Sequence, residues 1–279
     1  MQAFGARLRA AMDMRGPLCV GIDPHAQLLA AWGLSDDPAG VSTFCRIVVD
    51  ALADRVAVFK PQSAFFERFG ANGVQILEST IRQFRQAGAL VLLDVKRGDI
   101  GSTVAAYADA YLNPSMPMYV DAITASPFLG VGSLAPMFDQ AHRHGGGVFV
   151  LALTSNKEGP QVQHAKIADG RTVAQSIIDE ISQLNVGAQG LGSIGAVIGA
   201  TIGDTGHDLS ELGGPILVPG LGAQGGKPDD LRSIFAGNLS AVLPSYSREV
   251  LGAGPDMSAL RERVSKINDE LMITLRSHK

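Results

Sequence analysis

One segment of the chain has residue types and a spacing that point directly to chemistry. Residues 89–93 form an uninterrupted apolar run, which predicts a parallel strand buried on both faces. Asp94, Lys96 and Asp99 follow this run. Two carboxylates beside one ammonium group keep it protonated and fix its position through charge-assisted hydrogen bonds. The arrangement favours a general acid that delivers one proton in one direction, with a structural ion-pair cluster as the alternative.

The sequence around this cluster resembles a known signature. Asp94, Lys96 and Asp99 match the Asp-x-Lys-x-x-Asp motif of the orotidine 5'-phosphate decarboxylase superfamily. Residues 96–103 are similar to the Lys-Arg-Gly-Asp-Ile-x-x-Thr form of the decarboxylases, particularly those of the longer bacterial, type 2 subgroup. Further short matches occur in the family's order along nearly the whole chain, and they are Gly21-Ile22-Asp23-Pro24, Phe59-Lys60-Pro61, Thr154-Ser155-Asn156, residues 218–226 and Ser247-Arg248.

The resemblance implies a reaction and the residues that carry it. The reaction is decarboxylation of orotidine 5'-monophosphate to uridine 5'-monophosphate and CO₂, with no metal ion or other cofactor. Lys96 would protonate the carbanion left at ring carbon six, and Asp94 and Asp99 would orient its ammonium group. Lys60, at the end of a predicted strand, would balance their charge and contact the ribose. A strand-end lysine that extends into solvent is the alternative for Lys60.

The resemblance also implies where the substrate binds. Asp23 would accept hydrogen bonds from the ribose hydroxyls and Ser155 would bind the pyrimidine ring, although Asp23 could instead start a turn and Ser155 could cap a helix. The glycine-rich segment 219–227 follows the predicted seventh strand, where barrels commonly bind phosphate through backbone N–H groups. A flexible connector is the alternative for this segment. The substrate-binding residues implied in this region are Pro219, Gln224 and Arg248.

Members of the resembling family are dimers with composite sites, which implies a homodimer for this chain. Asp99, Ile100 and Thr103 would then reach into the partner subunit's site, where Thr103 would contact the ribose. The alternative for Thr103 is a residue of a first helical turn with no further role.

Short apolar runs alternate with longer amphipathic stretches, which is the pattern of α/β proteins. An open doubly wound sheet could use this alternation, but the resemblance implies a (β/α)8 TIM barrel with residues 1–279 in a single domain. The candidate polar residues follow predicted strands, at the end of such barrels where active sites lie. The predicted strands are 18–23, 56–61, 90–95, 122–126, 148–154, 196–200, 216–220 and 239–245. The predicted helices are 43–53, 74–87, 102–112, 133–142, 172–184 and 257–276, with a glycine-rich loop running through 187–199 into the sixth strand.

Composition argues against several other classes of protein. The chain has 279 residues, of which 46% are hydrophobic and 18% charged, and its formal net charge is -4. It contains no basic run and no basic patch with interleaved aromatic residues, so nucleic acid is not an expected partner. No segment reaches the ~20 consecutive apolar residues of a membrane helix. Cys19 and Cys45 lie in apolar surroundings and are expected to be buried thiols, which favours a reducing, cytoplasmic compartment.

Two other functional classes stay open at the level of sequence. The first is a metal-dependent enzyme of the same superfamily acting on a sugar phosphate; such enzymes typically have a metal-binding acid where this chain has Lys60, and a lysine would repel Mg²⁺. The second is a nucleotide-binding protein without catalytic activity, against which the complete charged set argues. The six histidines show no metal-ligand spacing, and no G-x-S-x-G or Walker sequence is present.

Overall fold

The computed structural model describes residues 2–203 and 205–276, whose strands form a closed parallel barrel. Each strand pairs with the next in chain order, and the first pairs with the eighth, where Cys19 lies opposite Ser245. The (β/α)8 architecture implied by the resemblance is therefore confirmed. The strands are β1 (Cys19–Ile22), β2 (Val58–Pro61), β3 (Leu90–Arg97), β4 (Ala122–Ala125), β5 (Gly147–Leu153), β6 (Ile194–Ile198), β7 (Ile216–Val218) and β8 (Val242–Tyr246).

Helices separate successive strands except β6 and β7, between which residues 199–203 and 205–215 form no helix, and one helix precedes the barrel. They are α1 (Phe4–Arg15), α2 (Ala26–Ala31), α3 (Pro38–Leu52), α4 (Ala64–Glu67), α5 (Gly70–Gln86), α6 (Gly101–Leu112), α7 (Ala135–His144), α8 (Pro160–Gln163), α9 (Val173–Leu184), α10 (Pro228–Ile234), α11 (Arg248–Leu251) and α12 (Met257–Leu275). Within the described parts of the chain, no helix has the length and apolar content needed to cross a membrane.

Two hydrophobic clusters hold the barrel together. The larger lies between the outer face of the strands and the helices, and it includes Val20 and Phe59. The smaller fills the barrel interior and its N-terminal end, where α1 inserts Phe4 edge-on against Phe149 with ring centroids 5.9 Å apart. Because both faces of each strand are buried, the strands appear in the sequence as continuous apolar runs. The opposite, C-terminal end of the barrel is free for polar chemistry.

One predicted loop is wrong in extent, and packing inside the barrel explains why. The glycine-rich loop predicted through 187–199 ends earlier, because β6 begins at Ile194 and contains Gly195. A Cβ atom at Gly195 would lie 2.3 Å from the carbonyl oxygen of Pro215 and 2.8 Å from the ring of Phe149. Glycine is required there for close approach of neighbouring strands rather than for a flexible turn.

Two further boundaries differ from prediction. The helix predicted from residue 43 begins at Pro38, because Asp37 caps it by accepting a hydrogen bond from the backbone N–H of Gly40 at 2.8 Å. The strand predicted from residue 239 begins at Val242, after a 3₁₀ turn formed by Leu239–Ala241. The other predicted helices agree with the observed ones to within a few residues.

The end of β3 departs from a regular strand at the point where the charged residues lie. The pairing register between β3 and β4 shifts between Leu93 and Arg97, so that residues 94–96 face the single residue Thr124. Lys96 lies in this bulge with φ of 44°, and it is the one non-glycine residue with positive φ in the described ranges. Bulges commonly re-aim side chains next to active sites.

Candidate active site

A cavity of about 240 Å³ opens at the C-terminal end of the barrel. Side chains at the ends of several strands line it, so residues far apart in the sequence meet in one place. Most of the site residues expected from the sequence are in its wall. These are Asp23, Lys60, Asp94, Lys96, Pro219, Gln224 and Arg248.

The charged centre of the cavity consists of Lys60, Asp94 and Lys96. Asp94 Oδ1 accepts a hydrogen bond from Lys96 Nζ at 2.6 Å, and its Oδ2 accepts one from Lys60 Nζ at 3.1 Å. Asp94 and Lys60 are each 6% exposed, whereas the Lys96 side chain is 46% exposed and lines the cavity. The accessible ammonium is therefore that of Lys96, and the buried carboxylate holds it in place.

Contacts within the charged centre shift the pKa values of Asp94 and Lys60. Burial alone would raise the pKa of Asp94, but the two lysines and the hydrogen bonds that it accepts lower its pKa to about 2. Burial alone would lower the pKa of Lys60, but Asp94 and Asp23 raise its pKa above the usual value. At neutral pH the site therefore contains an ionised carboxylate and a charged Lys60, although both are desolvated.

Thr124 completes this network, and the sequence reasoning did not single it out. Its hydroxyl donates to Asp94 Oδ1 at 2.8 Å, and its oxygen accepts from the backbone N–H of Lys96 at 2.9 Å. Thr124 is 1% exposed, and its atoms also line the cavity. The available signal was a hydroxyl inside an otherwise apolar strand run, since a buried hydroxyl needs a hydrogen-bond partner.

Two buried polar atoms at the ends of β1 and β8 have no hydrogen-bond partner among the described residues. They are Asp23 Oδ1 and Ser247 Oγ, and both residues line the cavity. A Cβ atom at Gly21 would lie 3.4 Å from both Asp23 Oδ2 and Ser247 Oγ, so the two side chains are near neighbours. Leaving such atoms unsatisfied costs roughly 1–3 kcal/mol each. The arrangement is suited to a ligand that supplies the missing hydrogen bonds.

We call the part of the cavity wall where the sequence predicts phosphate binding the phosphate side, and it consists of Pro219, Gln224 and Arg248. Gly220, at φ 100°, starts a compact loop in which the N–H of residue 222 donates to the carbonyl of residue 226 at 2.9 Å. A Cβ atom at position 220 would lie 3.4 Å from Gln224 Oε1, which shows how closely that side chain folds over the loop. Arg248 is exposed, and its guanidinium forms no ion pair within the described residues.

Three predicted site residues lie outside the cavity wall of this chain. Asp99 precedes α6 and Thr103 lies in its first turn, and neither lines the cavity; Asp99 Oδ1 accepts from the backbone N–H of Ile100 at 2.8 Å. Ser155 is exposed beside the cavity, and the lining residue is its neighbour Thr154.

The loop that carries Ser155 is held by a side chain from α8. Gln163 Oε1 accepts from the backbone N–H of Thr154 at 3.0 Å, and Gln163 Nε2 donates to Thr154 Oγ1 at 2.6 Å. Sequence reasoning missed Gln163 because α8 spans only Pro160–Gln163 and has no apolar periodicity to mark it. These two hydrogen bonds fix the end of β5 at the edge of the cavity.

The His, Cys, Asp and Glu side chains of the described residues are not arranged to bind a metal ion. In residues 2–203 and 205–276, no group of three or more His, Cys, Asp or Glu side chains could hold a metal ion. Cys19 and Cys45 are free and buried, as expected, and burial raises the pKa of each thiol to about 12.

Comparison with known proteins agrees with the motif and the geometry. A family model described as the orotidine 5'-phosphate decarboxylase / HUMPS family matches residues 16–263. The chain belongs to this family. The expectation drawn from Asp94, Lys96 and Asp99 is thus confirmed at the level of the family.

Relatives in the family are similar over nearly the full chain. The orotidine 5'-phosphate decarboxylase of Salinispora arenicola is 69% identical, with 96% of this chain and 96% of the relative covered. That of Streptomyces coelicolor is 57% identical, with 97% and 98% covered. A crystal structure described as this decarboxylase from Streptomyces avermitilis superposes with a TM-score of 0.97 at 55% identity, and covers 99% of this chain and 97% of that chain.

Proposed function

We propose that this chain decarboxylates orotidine 5'-monophosphate to uridine 5'-monophosphate and CO₂ in pyrimidine biosynthesis, with Lys96 as the proton donor. The observation that carries the proposal is the charged centre, in which a buried, ionised Asp94 orients an accessible Lys96 ammonium at 2.6 Å. Family membership supports the overall reaction.

The proposed step conserves atoms and charge. The bond between ring carbon six and the carboxylate breaks, CO₂ leaves, and the electron pair stays on the carbon. Lys96 Nζ then gives a proton to that carbon, and the neutral amine recovers a proton from water. Because Asp94 and Thr124 hold Lys96 before substrate arrives, little reorganisation is needed when negative charge develops on the ring.

The other two charged groups have supporting roles in the proposal. Lys60 compensates the negative charge of Asp94 at 3.1 Å, and from its place in the cavity wall it would contact the ribose. Asp94 would face the leaving carboxylate, so that repulsion in the bound substrate is relieved when CO₂ departs. Asp23, whose Oδ1 has no partner among the described residues, would accept from the ribose hydroxyls.

Binding of the phosphate is assigned to the opposite side of the cavity. The Arg248 guanidinium is exposed and suited to a dianion that accepts two parallel hydrogen bonds. Gln224 and the backbone around Pro219 add contacts, and Ser155 is proposed to bind the pyrimidine from the β5 loop. Binding energy from the phosphate can then be used at the reacting carbon, which lies away from it.

The rim of the cavity supports a homodimer with composite sites. Ile100 is 61% exposed, and Phe128 and Leu129 in the loop after β4 are 79% and 53% exposed. These apolar side chains, together with Asp99 and Thr103, form the rim patch. The loops touch one another, since a Cβ atom at Gly98 would lie 2.3 Å from the carbonyl oxygen of Ser126. Exposed apolar patches commonly mark subunit interfaces, and docking here would carry Asp99, Ile100 and Thr103 to the partner's cavity.

A metal-dependent reaction on a sugar phosphate is the alternative within the superfamily. The donor set disfavours it, because the buried carboxylate at the centre of the cavity already binds two ammonium groups, which would repel a divalent cation. We therefore propose a reaction without metal or cofactor.

The free thiols of Cys19 and Cys45 suit a reducing compartment, so we propose a cytoplasmic location.

The test is an absorbance assay on the purified chain. Orotidine 5'-monophosphate is added in the presence of EDTA, and loss of substrate is followed together with release of uridine 5'-monophosphate. We expect one product molecule per substrate consumed, at a rate that chelation does not change. No turnover, or turnover that requires added Mg²⁺, would contradict the proposal.

A further inference from the structure

The bulge at the end of β3 leaves a backbone group without its usual partner. In a regular parallel strand successive residues bond alternately to the two neighbouring strands, and Leu90 and Asp94 bond on the β2 side, so the N–H of residue 96 would face that side too. The bulge turns this N–H toward β4, where residues 94–96 face only Thr124. The N–H of Lys96 donates instead to the side-chain oxygen of Thr124 at 2.9 Å. A side chain therefore replaces the missing ladder contact.

The direction of each hydrogen bond around Thr124 is determined by its donors. A backbone N–H can only donate, so the Thr124 oxygen accepts from Lys96, and its single hydroxyl proton goes to Asp94 Oδ1 at 2.8 Å. Asp94 Oδ1 also accepts from Lys96 Nζ at 2.6 Å. The three bonds close a ring through the backbone and the side chain of the same lysine.

This ring holds an uncommon backbone conformation. Lys96 has φ of 44°, a left-handed conformation that residues with a side chain seldom adopt. Such conformations persist where the surrounding structure holds them, often at functional sites. Thr124, 1% exposed on β4, supplies the contact that fixes the Lys96 amide in this orientation.

We propose that Thr124 is a positioning residue, whose hydroxyl fixes the backbone of Lys96 and the carboxylate of Asp94 so that the ammonium points at the reacting carbon. The inference rests on the proposed function for its effect on turnover. Its geometric part, the restraint on Lys96, can be measured without turnover.

The experiment compares Thr124→Ser with Thr124→Ala, two variants that differ only in the hydroxyl. Because a hydrogen bond to a charged group is worth about ten- to hundredfold, we expect Thr124→Ala to lower kcat at least about tenfold. KM and uridine 5'-monophosphate binding should stay within about threefold, since Thr124 acts on Lys96 rather than on binding groups. Thr124→Ser should retain kcat within about threefold of the unchanged chain.

The matched control is Thr80→Ala, which removes another buried threonine, 2% exposed on α5, whose hydroxyl donates to the carbonyl of Ile76 at 2.8 Å. It should leave kcat unchanged. The second readout is amide hydrogen exchange at Lys96 in the native protein, measured by NMR. We expect exchange to accelerate at least about tenfold in Thr124→Ala and to stay slow in Thr124→Ser, because the amide loses its acceptor only in the former.

If the unchanged chain turns substrate over, equal kcat in the serine and alanine variants would overturn the proposal, and unchanged exchange at Lys96 would overturn it in any case. Faster Lys96 exchange in Thr124→Ala, in a chain that does not decarboxylate orotidine 5'-monophosphate, would refute the proposed function and still support the positioning role. The two failures are therefore distinguishable.

Discussion

In the charged centre, Asp94 already binds both lysines, whereas on the phosphate side the guanidinium of Arg248 has no ion-pair partner among the described residues. The carboxylate is 6% exposed, and Arg248 lies at the surface. In the proposed reaction, the groups that would act at the reacting carbon are thus organised before substrate binds, while the guanidinium that would bind the remote dianion has no ion pair to give up. This difference is what transition-state stabilisation requires, because orientation at the reacting carbon must not wait for substrate.

The largest effect is expected from removal of the accessible ammonium. Lys96→Ala should lower kcat by more than about a hundredfold, because positioned general acids are typically worth 10²–10⁴-fold. Uridine 5'-monophosphate should still bind, which equilibrium titration of the variant would show. Lys166→Ala, which removes an exposed lysine away from the cavity, is the control. Turnover above about a hundredth of the unchanged chain would refute the proton-donor role.

The rim patch adds a third region to the comparison, because its Asp99 lies outside the cavity of its own chain. If Asp99 serves the partner's site, mixing inactive Lys96→Ala with inactive Asp99→Ala and exchanging subunits should restore activity. Each hybrid dimer has one site with both residues, so about a quarter of full activity is expected at equal mixing. The measurement is turnover after exchange verified by mass spectrometry, and absence of recovery would assign Asp99 to its own subunit.

On the phosphate side we expect a smaller loss that depends on the substrate. Arg248→Ala should lower kcat/KM for orotidine 5'-monophosphate about ten- to hundredfold, mainly by raising KM. It should hardly change turnover of the nucleoside orotidine, which has no phosphate to bind. Arg55→Ala, which removes a half-exposed arginine at the other end of the barrel, controls for surface charge. Equal losses on both substrates would mean that Arg248 supports the fold or the reacting centre.

The smallest effect concerns stability in acid. The lowered pKa of Asp94, about 2 against 3.8 in the unfolded chain, contributes stability above pH 3.8 that is lost as the pH falls toward 2. Between pH 5 and pH 3 this loss is about 1 kcal/mol. Urea denaturation at both pH values should show a drop in the unfolding free energy that is smaller by this amount in Asp94→Asn. The same drop in both proteins would show that Asp94 is not held as its contacts indicate.

Much of the fold could be predicted from the sequence because each strand is buried on both faces and appears as an apolar run. Periodicity fails where tertiary packing decides, as at Gly195, which lies in a strand because Phe149 and Pro215 leave no room for a side chain. It also fails at α3, where the cap at Asp37 rather than the apolar pattern determines the start.

The residues of the site also fall into those that could be predicted from the sequence and those that could not. Charged residues at strand ends could be found from sequence, because charge is costly in a buried strand and signals a role. Thr124 and the conformation of Lys96 could not, since both depend on the register between β3 and β4. Nor does a single sequence show that Asp99, in the same short motif as Lys96, lies outside the cavity of its own chain.

The central claim, that an ammonium group at position 96 delivers the proton, is tested most directly by chemical rescue. Lys96→Cys should be inactive, and 2-bromoethylamine should convert the new thiol to S-aminoethylcysteine, which restores an ammonium at nearly the same place. Cys19 and Cys45 are buried, so the unchanged chain treated identically serves as the control.

The measurement is the rate of decarboxylation of orotidine 5'-monophosphate by Lys96→Cys before and after this modification. We expect turnover to return only after aminoethylation. Turnover by Lys96→Cys before modification, or no recovery after complete and specific modification, would contradict the account.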